Sequence, residues 1–251
     1  MKHCRHSPHI LSFVLAIGIS ASAHGQPFQY QWRVSEIAAA DADVVQLGTK
    51  RGKAIHTVRT DQMRLLYAAK TGIEEAAELD VILIIVDGDL PNAFAGKGQR
   101  SELVIGINFA MLDLLGGDPH AAAALIGHEI AHLKLEHGES QKAKTATTGI
   151  LGVIGGVVLS GLGVPGGQTI SSLTFAAIQS GYSRDNEREA DYLGTIWAVE
   201  AGFEADGGAR LHEAMNRIPG ASSTSFFSTH PSGPERVATL RALAARLSRV
   251  P

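Results

Sequence analysis

A short stretch near the middle of the chain constrains its fold and chemistry more than any other. Gly127-His128-Glu129-Ile130-Ala131-His132 places two histidines four positions apart. Residues four apart on a helix lie nearly above one another, so His128 and His132 would share one face and bind one metal ion. Glu129 is rotated by roughly 100° from His128, near enough to take a proton from a metal-bound water. The pattern H-E-x-x-H is typical of zinc-dependent peptidases.

The flanking residues predict that this stretch is helical. Asp118 is a good N-cap, and Pro119 suits the first helical position. Alanines follow over 121–124, and Gly138 stands where a glycine stop is expected. We therefore predict a helix over about 119–137. The residues expected to face the core are Leu125, Ile126, Ile130 and Leu133.

The N-terminal residues 1–23 are typical of a secretory signal peptide. Lys2 and Arg5 supply a positive start, residues 10–19 are apolar, and Ala21-Ser22-Ala23 is a small-residue cleavage site. We expect cleavage after Ala23, which leaves residues 24–251 as the peptidase domain of an exported, periplasmic protein. The alternative is a retained membrane anchor, for which the apolar run is short.

Cysteine and charge content exclude several classes of protein. Cys4 is the only cysteine and lies within the expected signal peptide, so the mature chain would have no disulfide and no thiolate ligand. An exported protein without cysteines fits a bacterial periplasm, where disulfides are permitted but not required. The formal net charge of −3 argues against a nucleic-acid-binding protein and gives no sign of a polybasic membrane patch.

The apolar periodicity of the rest of the chain predicts an α+β, predominantly helical fold. Strands are expected over 81–86 and 103–107, with Asn92-Ala93-Phe94 in an extended or irregular segment between them. Gly72 is expected to end the first long helix, and residues 222–234 are expected to form a loop. Helices are predicted within 35–45 and over about 57–69, 183–202, 206–217 and 235–249.

The segment Gly149–Gly167 is apolar but crowded with glycine and interrupted by Pro165. It is shorter than the ~20 residues that a membrane-spanning helix needs. We interpret it as a flexible helical hairpin that packs on, or covers, the active-site cleft. The alternative is contact with a membrane surface.

A catalytic zinc site usually has three protein ligands. His137 lies five residues after His132, so on a continuous helix it is turned away from the metal face and is expected to be a solvated histidine. Glu187 and Asp191 are four apart and share a helix face. We expect Glu187 to bind the metal, Asp191 to accept a hydrogen bond from a ligand imidazole, and Glu189 to face solvent. The alternative is an ordinary charged helix face.

Four motifs in order resemble those of the M48 family of zinc metalloendopeptidases. They are Asn92-Ala93-Phe94, the H-E-x-x-H helix, Ser183-Arg184 followed by Glu187-x-x-Ala190-Asp191, and Thr229-His230-Pro231 with Arg236. The resemblance implies a gluzincin-type domain with a small β-sheet beside the H-E-x-x-H helix. It also implies one zinc ion per chain, held by His128, His132 and Glu187, with Glu129 as the general base. The chain looks most like the compact, exported, single-domain members.

Two parts of the resemblance suggest further site residues. His230 would approach the fourth metal position or the oxyanion of the tetrahedral intermediate; alternatively, it is a loop histidine beside the stiff Pro231. Asn92, Ala93 and Phe94 would present a strand edge that pairs with the substrate backbone.

These residues favour a metalloendopeptidase that cleaves internal peptide bonds of misfolded or unassembled proteins in the bacterial cell envelope. Its expected partners are unfolded polypeptides, with peripheral membrane contact as a further expectation and no nucleic acid. The alternative is a metal-holding chaperone or assembly factor that binds unfolded outer-membrane proteins without cutting them. The intact set of catalytic residues favours the enzyme.

Overall fold

A computed structural model of the chain describes residues 12–15, 31–48, 54–98, 101–138, 181–218, 225–231 and 234–249. The Gly149–Gly167 segment lies outside the described residues. Most of the expected signal peptide does as well, apart from Ser12–Leu15, which form a strand.

The described strands form two sheets. The strands are β1 Ser12–Leu15, β2 Gln31–Arg33, β3 Val44–Gly48, β4 Ala54–Arg59, β5 Ile82–Val86, β6 Ala93–Lys97 and β7 Leu103–Asn108. In the first sheet, β1 pairs parallel with β3 and β3 pairs antiparallel with β4. The second sheet has the order β2-β5-β7-β6, in which only β5 and β7 are parallel to each other. Its β6 strand is an edge and pairs, within the described chain, on one side alone.

Helices account for most of the described residues, which confirms the predicted α+β, mainly helical class. They are α1 Val34–Ala38, α2 Thr60–Ala77, α3 Phe109–Leu115, α4 Pro119–Lys134, α5 Arg184–Glu200, α6 Gly207–Asn216, α7 Ser225–Thr229 and α8 Pro234–Leu247. Among the described residues, every helix is too short or too polar to span a lipid bilayer.

The helix α4 lies at the centre of the domain. Its residues from Ala121 to His132 are all buried, because α2, α5 and α6 pack around it and β6 and β7 lie beside it. Asp118 caps its N-terminus by accepting hydrogen bonds from the backbone N–H groups of His120 and Ala121. A small sheet therefore lies beside the H-E-x-x-H helix, as expected.

Two glycines allow α4 and α5 to touch backbone to backbone. A Cβ atom on Gly127 would lie 2.6 Å from the carbonyl oxygen of Gly194. A Cβ atom on Gly194 would lie 2.5 Å from the backbone nitrogen of His128. Neither glycine can carry a side chain unless the helices separate, so this contact fixes how closely the acidic face of α5 approaches the histidines of α4.

Replacing Gly194 with alanine is expected to destabilise the domain by about 1–3 kcal/mol, because the added methyl group overpacks this contact. Thermal unfolding of the metal-free protein measures the effect. Gly138→Ala is the matched control, because a Cβ atom there meets no described atom within 4 Å, and it should change stability by less than ~0.5 kcal/mol. Equal melting temperatures for the two variants would contradict the close contact.

Two local predictions were wrong, and the end of α4 lies a few residues before its approximate predicted position. The helix α4 ends at Lys134, not His137, because Glu136 adopts a left-handed conformation with φ of 51° and turns the chain. Gly72 does not end α2: it packs against Ala201, where a Cβ atom would lie 3.0 Å from that residue's own Cβ, and the helix continues to Ala77. The expected loop 222–234 contains the short helix α7.

Candidate metal centre

Four buried side chains converge between α4, α5 and the residue that follows α7. They are His128, His132, Glu187 and His230, and one potential ligand atom from each lies within 4.8 Å of the others. The first two project from one face of α4, as their spacing predicts. Glu187 comes from the first turn of α5, which begins at the capping box of Ser183 and Asn186.

The spacing of the donor atoms fits one tetrahedral metal ion. The Nε2 atoms of His128 and His132 lie 3.0 Å apart. The carboxylate oxygens of Glu187 lie 3.3 Å from Nε2 of His132 and 3.6 Å from Nε2 of His128. Two donors bonded at ~2.1 Å to a tetrahedral ion are ~3.4 Å apart. The three side chains therefore form one face of such a coordination shell.

His230 lies at the remaining corner of this arrangement. Its Nδ1 atom is 3.2 Å from Nε2 of His128 and 3.2 Å from a carboxylate oxygen of Glu187. Its ring stacks on Phe226, with centroids 4.5 Å apart, and its backbone N–H donates to the Phe226 carbonyl. The side chain of His230 is completely buried.

Glu129 is buried beside the cluster with its charge uncompensated by hydrogen bonds. Both carboxylate oxygens are inaccessible to solvent, and neither has a hydrogen-bond partner among the described residues. Nε2 of His230 lies 3.5 Å from Oε1 of Glu129. Burial raises the pKa of Glu129, against the opposing effect of His230 and His128. A buried carboxylate without donors is the group that a water bound in the cluster would satisfy.

Asp191 and Arg236 form hydrogen bonds to residues of the cluster. Nδ1 of His128 donates to Oδ1 of Asp191 at 3.0 Å, which leaves Nε2 free to face the other donors. Arg236 donates two hydrogen bonds to Asp191, at 2.8 and 2.6 Å, and one to Glu187 at 2.5 Å. Burial would raise the pKa of Asp191, but these hydrogen bonds hold it below its usual value. Arg236 thus links α8 to Glu187 and Asp191 of α5.

The sequence profile of peptidase family M48 matches residues 50–244, which is more than half of the chain. The chain belongs to this family. The matched region contains the four clustered residues, Glu129, Asp191 and Arg236.

Three M48 relatives illustrate the similarity. Mitochondrial metalloendopeptidase OMA1 of Arabidopsis thaliana is 27% identical over 154 residues, which cover 61% of this chain and 30% of that protein. OMA1 of Schizosaccharomyces pombe is 29% identical over 157 residues, or 62% of this chain and 44% of the relative. A protease HtpX homolog of Thermodesulfovibrio yellowstonii is 27% identical over 218 residues, and the match covers 72% of this chain and 76% of that protein. The chain therefore spans less than half of the length of the two mitochondrial relatives.

Other residues of the M48 motifs lie outside the group of four converging side chains. Arg184 is exposed at the first position of α5. Asn92 precedes β6, and its backbone N–H and C=O bond to Asn108 at 3.0 and 3.1 Å. Ala93 and Phe94 belong to β6 itself, and the Phe94 ring covers Gly106, which has no room for a side chain. Asn92, Ala93 and Phe94 lie at the edge of the sheet beside α4. They are outside the donor cluster, which is the group of His128, His132, Glu187 and His230.

Sequence reasoning was wrong about His137 and missed Tyr182 in this M48 domain. His137 is 4% exposed, not solvated, and its Nδ1 atom lies 3.0 Å from Nδ1 of His132. The Tyr182 ring stacks on the ring of His132, with centroids 3.7 Å apart and planes inclined by 17°. Tyr182 directly precedes the N-cap of α5, and only its proximity to that predicted helix start could have singled it out.

Proposed function

We propose that this chain is a zinc-dependent metalloendopeptidase that hydrolyses internal peptide bonds. The observation that carries the proposal is the buried group of two histidines and one glutamate, beside which the carboxylate of Glu129 has no hydrogen-bond partner among the described residues. Two imidazoles and a carboxylate form a donor set that zinc accepts in catalytic sites. The relatives named as metalloendopeptidases and protease support the same reaction class.

His128, His132 and Glu187 would hold the ion, and the single negative charge of Glu187 would leave the ligated ion with a net positive charge. Zinc bound there would supply a Lewis acid and would lower the pKa of a bound water to ~7. Glu129 would act as general base toward a water in the site and would later return the proton to the leaving amine. The raised pKa of Glu129 suits the first of these two steps, because a carboxylate that binds its proton more tightly is a stronger base.

His230 is proposed to act in catalysis after leaving the fourth position. A site closed by four protein donors has no place for water, and Nδ1 of His230 lies at that position in the structure. Its Nε2 atom lies close to Glu129 and without a hydrogen bond among the described residues. Once displaced by water or substrate, the ring would remain near enough to donate to the oxyanion that forms at the scissile carbonyl.

Unfolded polypeptides are the proposed substrates. The β6 strand is a sheet edge next to α4, so an extended peptide that pairs with it would run past the donor cluster. Main-chain hydrogen bonds do not depend on the identity of the substrate side chains, which favours broad sequence tolerance.

We further propose export to the periplasm, with cleavage after Ala23. The intact mass of the mature protein would test this cleavage site.

The experiment that tests the proposal is incubation of the zinc-loaded protein with an unfolded protein such as reduced casein. We expect fragments with wild-type protein, and none when a chelator has removed the zinc. Restored cleavage after zinc is added back excludes a contaminating protease of another class. Binding of the unfolded protein without any fragments, with zinc verified in the protein, would overturn the peptidase proposal and favour the chaperone function.

A further inference from the structure

A second contact between histidines lies on the opposite edge of the His132 ring from the donor cluster. While Nε2 of His132 faces the cluster, its Nδ1 atom lies 3.0 Å from Nδ1 of His137. The far nitrogen of His137, Nε2, lies 3.4 Å from Oε2 of Glu189. Three side chains from two helical regions therefore form a chain that begins at the donor cluster and ends in a carboxylate.

Only one arrangement of protons satisfies this chain when Nε2 of His132 binds a cation. A neutral imidazole carries one proton, so the proton of His132 must then be on Nδ1, where it donates to His137. Nδ1 of His137 must be the bare, accepting nitrogen. Its own proton is then on Nε2, which faces Glu189. The network thus assigns the tautomers of both rings.

The local fold holds His137 in this position. The chain leaves the helix α4 after Lys134, and the left-handed turn at Glu136 brings the next residue back against the end of the helix. On a continuous helix, His137 would instead point away from the cluster. On another side of the His132 ring, Tyr182 stacks against its face. One hydrogen bond and one stacking contact therefore fix the ring of His132.

We propose that His137 is a positioning residue of the metal centre, and that it accepts the Nδ1 proton of His132 and so holds Nε2 toward the metal. The inference rests on the proposed function, because it requires a metal in the cluster. His128 receives the same support directly from the carboxylate of Asp191. Glu189 contributes less, because its side chain is 57% exposed and solvent weakens its interaction.

A matched pair of variants tests the hydrogen bond separately from the packing. Leucine and asparagine have nearly the same shape, but only asparagine offers an acceptor oxygen close to the position of the histidine Nδ1 atom. We expect His137→Leu to weaken zinc binding by about 10–100-fold and His137→Asn to stay within about threefold of the wild type. Competition with a chromophoric chelator measures the zinc dissociation constants.

Proton NMR of the cobalt-substituted protein supplies a readout that packing alone does not change. The N–H protons of the ligand histidines are shifted far outside the usual range by the paramagnetic ion. We expect slowly exchanging N–H signals from both His128 and His132 in the wild type and in His137→Asn. In His137→Leu, the signal of His132 should exchange rapidly with solvent, while that of His128, which is bonded to Asp191, should remain.

The outcomes separate this inference from the proposed function. A wild-type protein that binds no zinc would overturn both. If the wild type binds zinc, unchanged affinity and unchanged N–H exchange in His137→Leu would overturn the role of His137 alone. Equal losses in the leucine and asparagine variants, whether of zinc binding or of folding, would show that His137 only fills space and would also overturn the proposal.

Discussion

Replacing Glu129 with glutamine is expected to lower kcat for peptide cleavage by about 10²–10⁴-fold, the usual contribution of a general base. Zinc should remain bound, because the expected ligands come from His128, His132 and Glu187. The substitution also removes a buried charge that has no hydrogen-bond partner among the described residues, so the metal-free variant should be at least as stable as the wild type. Hydrolysis of a quenched fluorescent peptide and metal analysis of the same sample measure both effects.

The control for this variant is Glu200→Gln, the same chemical change at an exposed position of α5. It should leave kcat, zinc content and melting temperature unchanged. If the Glu129→Gln enzyme cleaves peptides at the wild-type rate, Glu129 is not the general base. Loss of zinc from Glu129→Gln would instead show that this carboxylate helps to hold the metal.

Replacing Glu187 with alanine is expected to reduce zinc from one ion per chain to nearly none after dialysis, and to abolish cleavage with it. The carboxylate is buried, and its oxygens lie within 3.6 Å of the ring nitrogens of His128 and His132. Removal leaves those two imidazoles as the remaining members of the proposed ligand set, and it leaves Arg236 without one of its acceptors. Metal analysis of purified protein gives the zinc content.

His230→Ala is the contrasting variant, because it removes a neighbouring donor that the proposed ligand set does not require. Zinc should stay at one ion per chain, since water can take the fourth position. Retention of zinc in Glu187→Ala together with loss of zinc in His230→Ala would show that His230, and not Glu187, is the third ligand. Circular dichroism of both metal-free variants checks that neither result reflects unfolding.

Spacing alone predicted which of the main site residues share a helix face. His128 and His132, like Glu187 and Asp191, are four apart, and helix geometry places each pair on one face. The caps at Asp118 and Ser183 marked where the two helices begin. That the two faces meet was inferred from the third ligand that a catalytic zinc site needs and from the resemblance to M48, because no local pattern specifies how distant helices pack.

Features that depend on an irregular backbone or on tertiary packing were not predictable in this way. The position of His137 follows from a left-handed turn at Glu136, a residue type that rarely adopts this conformation. Gly72 has the sequence features of a helix stop, yet it serves as a contact with Ala201. Arg236 was recognised as part of a motif, but its hydrogen bonds to Asp191 and Glu187 required the position of α8.

The most direct test of the account is a crystal structure of the zinc-loaded protein, with the ion located by its anomalous scattering. We expect one ion within about 2.0–2.2 Å of Nε2 of His128, Nε2 of His132 and a carboxylate oxygen of Glu187. Glu129 should lie beside the ion without binding it. An ion bound elsewhere, or a Glu187 carboxylate outside the coordination shell, would contradict the account.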